Sequence, residues 1–598
     1  MKPKVMLTAA LALIVAGAAD ARQRASTSVP DFGPNVKIFD PSMSTAQIKS
    51  VVDSVANQQR SNEFGAQRYA LLFMPGTYGG AVPLSFEVGY YTEVAGLGAL
   101  PGQVTINGTV DVFNQCGPDG CFALKNFWRS LSNLTININT SQKTGCKAAG
   151  EFWATSQAAP IRRVQINNGF TTFMDFCTAP SFASGGFMAD SVISGVVLNG
   201  SQQQYLVRNS TVGTWRNAVW NQVFAGVQGA PAQSFPTPPY TTLATNPASR
   251  ERPFLYVDGS NHFNVHVPDA RFNSSGPSWT SGQTPGHSLP IESFFIAKPT
   301  DSVQAINDAL SQGKNLIFTP GGYDVDKTIK VKRAGTIVLG LGLPTLTAQD
   351  GVVPMTVADV QGVEISGLIF DAGPVTSPAL LQVGDTHPDH SDGHHVSIHP
   401  NDPVALHDVF FRIGGPHAGS ATNSLVVGRD NTILDDIWAW RADQGDGVGW
   451  TTNTADTGLF VMGDNVTANG LFIEHYQKYN VYWAGQNGRT IMFQNEMPYD
   501  PPNQAAYGHD GLLGWAAYKV ADSVSSHEGW GLGSYCFFNV DPSIHNSRAF
   551  EVPVGPGIHL HDLLDLSITN HGTIDRVVND VGAPTDDQTH TSPIVSYP

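Results

Sequence analysis

Short runs rich in Val, Ile, Phe and Thr recur along most of the chain, each broken by Gly, Asn, Asp or Ser. In the C-terminal half "VEISGLIF", "VALHDVFFRI", "TILDDIWAW", "LFVMGDNVTANGLFIEHY", "VYWAGQNGRTIMFQNE" and "GIHLHDLLDLSI" follow one another. They form turn-bounded groups of about 20 to 35 residues, the repeat length of a solenoid coil. Helical periodicity is almost confined to "STAQIKSVVDSVANQQ" and "DSVQAINDALSQG". A β-sandwich, with hairpin turns every ~8–12 residues, is the competing reading. Paired Asn and Asp near strand ends, and a helix able to cap each series, favour right-handed parallel β-helices in an all-β protein.

The pattern occurs twice. "YALLFMPGTYG" (69 to 79) matches "KNLIFTPGGYD" (314 to 324), an apolar strand, a Pro-Gly turn and a Tyr. Each is preceded by one of the helical segments and followed by a strand and Gly-Leu-Gly, in "EVAGLGALPG" and "IVLGLGLPTL". Three features recurring in order predict two tandem domains packed side by side, at 30–280 and 295–598, joined by a linker at 281–294. Within the first, Gly226 to Pro253 is rich in Pro, Ala and Thr and reads as a loop, and "SSGPSWTSGQTPGHSLP" reads as linker.

Composition sharpens this picture. Charged residues are 14% of the 598, with 61 Gly and 39 Pro, against about 25% charged in ordinary globular chains. The 41% hydrophobic and 10% aromatic content is enough for a core. Lys2 and Lys4, the apolar run to Ala19 and the Ala19-Asp20-Ala21 site predict an export signal over residues 1–21. Its removal takes the net charge from −17 to −18. An acidic, secreted, extracellular chain with no second apolar span predicts neither a nucleic-acid nor a membrane partner; a neutral one fits better. Export permits disulfides. Cys116 and Cys121 flank a tight "GPDG" turn and Cys146 with Cys177 is the next candidate pair, although spacing alone leaves the pairing of five cysteines open.

Candidate chemistry gathers in "FIEHYQKYNVYWAGQNGRTIMFQNEMPYD" (472 to 500), where Glu474 and Glu496 lie 22 residues apart among aromatic side chains. That spacing is close to one coil, which would stack the two carboxylates ~4.8 Å apart across the ladder. Two such groups do not both ionise easily, so one is expected to hold a proton near neutral pH. A protonated carboxyl among aromatic residues is what a glycosidase needs to protonate a leaving oxygen. The competing reading has both glutamates outward and solvated.

These motifs, "NGRTIMFQNEMPYDPP", "GWAAYKVADSVSSHEGWGLGSYCFF" and "IDRVVNDVG", with "SQAAPIRRVQIN" and "SGGFMAD" in the first half, resemble glycoside hydrolase family 55. The resemblance covers nearly the whole chain after the export signal. It implies tandem β-helices with a substrate cleft between them, and exo-acting, inverting cleavage of laminarin-like β-1,3-glucan to glucose or gentiobiose. It further implies Glu496 as general acid, Glu474 as a second essential glutamate, and Gln157 and Ser184 from the first β-helix as holders of the attacking water, with no cofactor or metal. Trp440 is expected as a sugar platform, with Tyr499 next to the acid.

Trp438, Trp440 and Trp450 fall within one coil, and by alternation Trp438 and Trp440 face the same way and are equally well read as core. Asp443 and Asp446 are candidates for sugar hydrogen-bonding groups or a hidden base, although Gly-flanked aspartates are more often turn formers. "GDTHPDHSDGHH" (384 to 395) looks like a metal site but lacks ligand spacing and reads as a solvated loop, and "SQQQYLVRN" (201 to 209) reads as a polar ladder. Two other functions remain to be weighed: a pectate-type lyase, disfavoured by the acidic charge, and a non-catalytic carbohydrate-binding β-helix. A monomer is expected.

Overall fold

The computed structural model describes residues 29–385, 401–569 and 571–598. The segment predicted to be an export signal and most of the histidine-rich stretch lie outside the described residues.

In the first half, strands Val36–Phe39, Tyr69–Phe73, Thr92–Gly96, Arg129–Ile138, Ile161–Asn167, Gly186–Ala189, Gln204–Arg208 and Asn221–Ala225 pair in succession, all parallel. The second half repeats this from Phe294–Ala297 through Glu364–Asp371, Val404–Ile413, Thr432–Arg441, Thr467–Glu474, Gly488–Glu496, His527–Cys536 and Ile558–Ser567. The antiparallel strand Thr591–Tyr597 closes it. These are two right-handed parallel β-helices lying side by side. Each begins under a helix: Thr45–Gln59, capped by Ser44 with Gln47 reaching back to the cap, and Val303–Ser311, capped by Ser302. Both helices bury an apolar stripe, Ile48, Val52 and Val55 in one and Val303, Ile306 and Leu310 in the other, over the open end of the coil stack.

Inside the second stack, side chains of equal position sit above one another, as with Ile437, Leu471, Phe493, Leu532 and Leu563. All are buried, and each contributes ~1.5–3 kcal/mol of transfer free energy. One residue per coil breaks the alternation with a positive φ: Gly367, Asp408, Asp436, Gly470, Met492, Gly531 and Asp562. Each falls at the gap in register between neighbouring strands, so the whole sheet bends along one line. Past the bend Trp438, Trp440, Glu474 and Glu496 all point out of the second stack.

The stretch read from composition as a loop and linker carries strands. Tyr240–Leu243 extends the first parallel sheet, Asn246–Arg250 pairs antiparallel with Ala270–Ser274, and Gly286–Pro290 completes a three-stranded antiparallel sheet. Their pattern is hidden because they are short and broken by Pro. They carry Arg250, Glu251 and Arg252 into the seam between the two β-helices.

That seam is built of buried ions. Arg162, from the first helix, binds Asp408 (2.6 Å) and Asp435 (2.7 Å) of the second. Arg208 binds Asp435 and Glu251, both at 2.6 Å, and Arg252 reaches Glu93 and Asp408. Beside the ions lies an aromatic layer in which Trp128 and Phe127 of the first helix pack against Trp438 and Trp440 of the second.

Candidate active site

At the end of the seam the two β-helices enclose a cavity of about 600 Å³. Its walls include Gln157, Ser184 and Phe127 from the first helix and Glu474, His475 and Glu496 from the second. A larger groove, about 840 Å³, lies beside the second capping helix, but Lys327, Lys330, Lys332 and Arg333 line it and no aromatic side chain does.

Glu474 and Glu496 occupy equivalent positions on adjacent strands. Both project into the cavity, so the 22-residue spacing does correspond to one coil. Glu474 is held by two N–H donors, Gln157 Nε2 to Oε1 and Trp438 Nε1 to Oε2, each at 2.7 Å. Gln157 Oε1 in turn accepts from Ser184 Oγ at 2.7 Å. Ser184, Gln157 and Glu474 thus form one continuous hydrogen-bonded path crossing from the first β-helix to the second. The segment bearing Gln157 is fixed from behind: Gln202 Nε2 donates to the Thr155 carbonyl (2.6 Å), and Asn126 Nδ2 to that of Ala154 (2.7 Å). Disulfides Cys116–Cys121 and Cys146–Cys177 brace the surrounding loops, and Cys536 is a buried free thiol.

Glu496 has a different shell. Its Oε1 accepts from the Tyr535 hydroxyl and its Oε2 from the Tyr499 hydroxyl, both short bonds. His475 Nε2 lies 3.2 Å from Oε2. The environments push the two carboxyls apart. Burial, then the charge of Glu496, raises Glu474 to about 8, against the opposing pull of His475 and Trp438. Burial also works against an ionised Glu496, but the His475 bond and charge with the two tyrosine bonds outweigh it and hold Glu496 below the ordinary range. Despite burial, His475 is pushed up to about 9 by its bond to Glu496 and the charges of Asp443 and Glu496. Burial and hydrogen bonding therefore favour the proton expected on one of the glutamates at Glu474, and an ionised Glu496 beside a protonated His475. The residue that the resemblance makes the acid is not the one burial protonates, because Glu496 faces the charge of His475 and two tyrosine hydroxyls, whereas the donors to Glu474 are neutral N–H groups.

Of the other expected residues, Tyr499 stands against the His475 ring, 4.4 Å between centroids. Trp440 is 2% exposed, stacked on Phe64 and Trp438. With so little of the indole exposed and rings stacked on it, it does not offer the open face a sugar platform presents. Trp450 packs on Tyr507 away from the cavity. Asp443 lines the cavity and Asp446 sits in a turn paired with Gly415. From the 201–209 stretch Gln203 lines the cavity, Gln202 anchors the Gln157 segment, and Arg208 belongs to the seam. His475 and Tyr535 escaped sequence reasoning. Alternation turns residue 475 away from residue 474, but His475 has a φ of 68°, and this left-handed turn brings both side chains to the same cavity.

A family model for the LAM55 pectate lyase-like domain matches residues 294–496. The chain is 50% identical over 570 residues, 95% of its length and 90% of the other protein, to an exo-β-1,3-glucanase of Streptomyces sp. strain SirexAA-E. It is also similar to the solved structure of sacteLam55A from that organism, with a TM-score of 0.88, 48% identity, and coverage of 95% of this chain and 99% of that one. A sacteLam55A variant in complex with glucose gives the same TM-score and coverage at 49% identity.

Proposed function

The chain belongs to glycoside hydrolase family 55, and on that premise we propose that it is an exo-β-1,3-glucanase that releases glucose or short oligosaccharides from laminarin-like chains with inversion. The observation that carries the reading is the path Ser184–Gln157–Glu474, which ends beside Glu496 but starts on the opposite wall. A single displacement needs an acid on one side of the scissile bond and an activated water on the other.

In this reading Glu496 gives its proton to the glycosidic oxygen as the bond from that oxygen to C1 breaks. A water held at Ser184 attacks C1 from the opposite face and loses one proton into the path. Ser184 passes a proton to Gln157 Oε1 while Gln157 Nε2 gives one to ionised Glu474, and the amide form returns when the path resets. Turnover leaves Glu474 protonated and Glu496 ionised, which is the distribution that burial and hydrogen bonding favour in the unliganded site. Before the next cycle Glu474 must release its proton to solvent and Glu496 must take one up. Secretion fits the export signal and the two disulfides, and a cleft completed within one chain fits a monomer.

A retaining reaction would make Glu474 the nucleophile. Burial raises its affinity for a proton, and Gln157 Nε2 points its hydrogen at Oε1, which favours a role as an acceptor of protons. The two reactions differ in product. NMR of the first-formed glucose from laminarin should show the α-anomer; an initial β-anomer would overturn the mechanism.

A further inference from the structure

We propose that His475 is a positioning residue that shares one proton with Glu496 and keeps the general acid loaded. The inference rests on the reading of Glu496 as the acid and concerns where its proton is kept.

The geometry leaves the imidazole one exchangeable position. Its Nδ1 lies 3.1 Å from the carbonyl oxygen of Arg441, an atom that only accepts, so Nδ1 keeps its hydrogen in both charge states. That carbonyl is on an anchored residue, for Arg441 binds Asp500 through both terminal nitrogens at 2.8 Å and the Asn453 carbonyl through Nε at 2.7 Å. The His475 main chain donates to the carbonyl of Glu496 at 2.8 Å, tying the two residues together a second time. The remaining nitrogen, Nε2, faces Glu496 Oε2. One proton therefore occupies the line between them, as imidazolium and carboxylate or as imidazole and carboxylic acid.

All the groups facing the pair bear on this balance. Tyr499 and Tyr535 donate to the two oxygens of Glu496, Asp443 Oδ1 lies 4.0 Å from His475 Nδ1, and Glu474 is the neighbour on the adjacent strand. Arg441 turns its charge onto Asp500. Two tyrosine donors stabilise a carboxylate and would leave an isolated Glu496 reluctant to take up a proton. The imidazolium next to it supplies that proton at close range. When the glycosidic oxygen takes the proton from Glu496, the Nε2 proton moves to the carboxylate or has already done so. The pair ends one proton poorer, as neutral imidazole and carboxylate, and is reloaded from solvent. The upward displacement of His475 and the downward one of Glu496 agree with this sharing. The titration then belongs to the pair and not to either residue.

The test is the pH profile of His475→Asn. Asn tolerates the left-handed backbone at this position but cannot hold the proton. The alkaline limb of kcat/KM on laminarin reports the loss of the acid's proton. Without the imidazole that proton is lost more readily, so the limb should move down by about one pH unit or more. Hydrolysis of an aryl β-glucoside with a good leaving group, which needs little protonation, should lose far less at high pH. A folded variant whose alkaline limb is unmoved would overturn the proposal. If the variant does not fold, histidine-labelled wild type and Glu496→Gln decide by NMR. The His475 ring should be protonated at neutral pH in the first and titrate at least ~1 unit lower in the second, and the same titration in both would overturn the sharing. Should Glu496→Gln itself stay active on laminarin, the acid assignment fails instead, a different result from an inactive Glu496→Gln with an unmoved limb in His475→Asn.

Discussion

Gln157→Leu is the sharpest perturbation of the proposed water path, since it keeps volume but removes both hydrogen bonds of the amide. The bond from Ser184 is neutral to neutral, worth ~1 kcal/mol, and the one to Glu474 serves a carboxylate that becomes ionised in the reaction, worth ~1.5–3 kcal/mol. If both are needed at the transition state, losing them raises the barrier by ~2.5–4 kcal/mol, or ~10²–10³-fold in kcat. Because the flanking main chain is held by Gln202 and Asn126 and not by the amide, the wall should keep its place, with circular dichroism unchanged. Glucose release from laminarin, followed at several concentrations, separates kcat from KM. A fall in kcat of less than ~10-fold would refute the relay. So would a raised KM at constant kcat, which would make Gln157 a sugar-binding residue.

Glu496→Gln should lower kcat on laminarin by at least ~10²-fold with unchanged thermal unfolding, and an aryl β-glucoside should recover part of the loss; near-full activity would remove Glu496 from the mechanism. Asp435 binds both Arg162 and Arg208 across the seam, so Asp435→Ala should cost ~3–5 kcal/mol in urea unfolding at neutral pH, the price of an uncompensated buried charge. The charges of Arg208 and Arg162 outweigh burial and hold Asp435 far below the ordinary carboxylate range. Its contribution is therefore present above the unfolded-state value and lost as pH falls through the folded one, and the difference between wild type and variant should shrink in strong acid.

Coil architecture was legible because it repeats: turn-bounded strands, two helical caps and a Pro-Gly-Tyr signature occurring twice. The pairing of Glu474 with Glu496 was legible for the same reason, as both lie within one repeat. What depends on contact between the two β-helices left no periodic trace. Nothing near Gln157 in the sequence points to Glu474, 317 residues away. The Arg162–Asp435 pair is likewise separated by 273 residues. The resemblance implies Trp440 as a platform, but whether an indole keeps an open face depends on what packs against it, here Phe64 and Trp438. His475 was hidden by a single backbone dihedral, which reverses the side to which strand alternation assigns it.

The buried ion pairs of the seam also act as an index between two racks of rungs. Arg162 is five positions from Gln157, and Asp435 lies on the strand beside the one that ends in Glu474. The contact that joins the racks thus also decides which rung of one meets which rung of the other. A parallel coil stack can gain or lose a rung by duplication or deletion of one repeat with little harm to its own ladder. Such a change beyond the seam, in the capping coils, leaves the index untouched. Between Asp435 and Glu496 it would move the acid by ~4.8 Å relative to the water holders while every coil remained well formed. The coil count there is therefore constrained by chemistry, and elsewhere by packing alone.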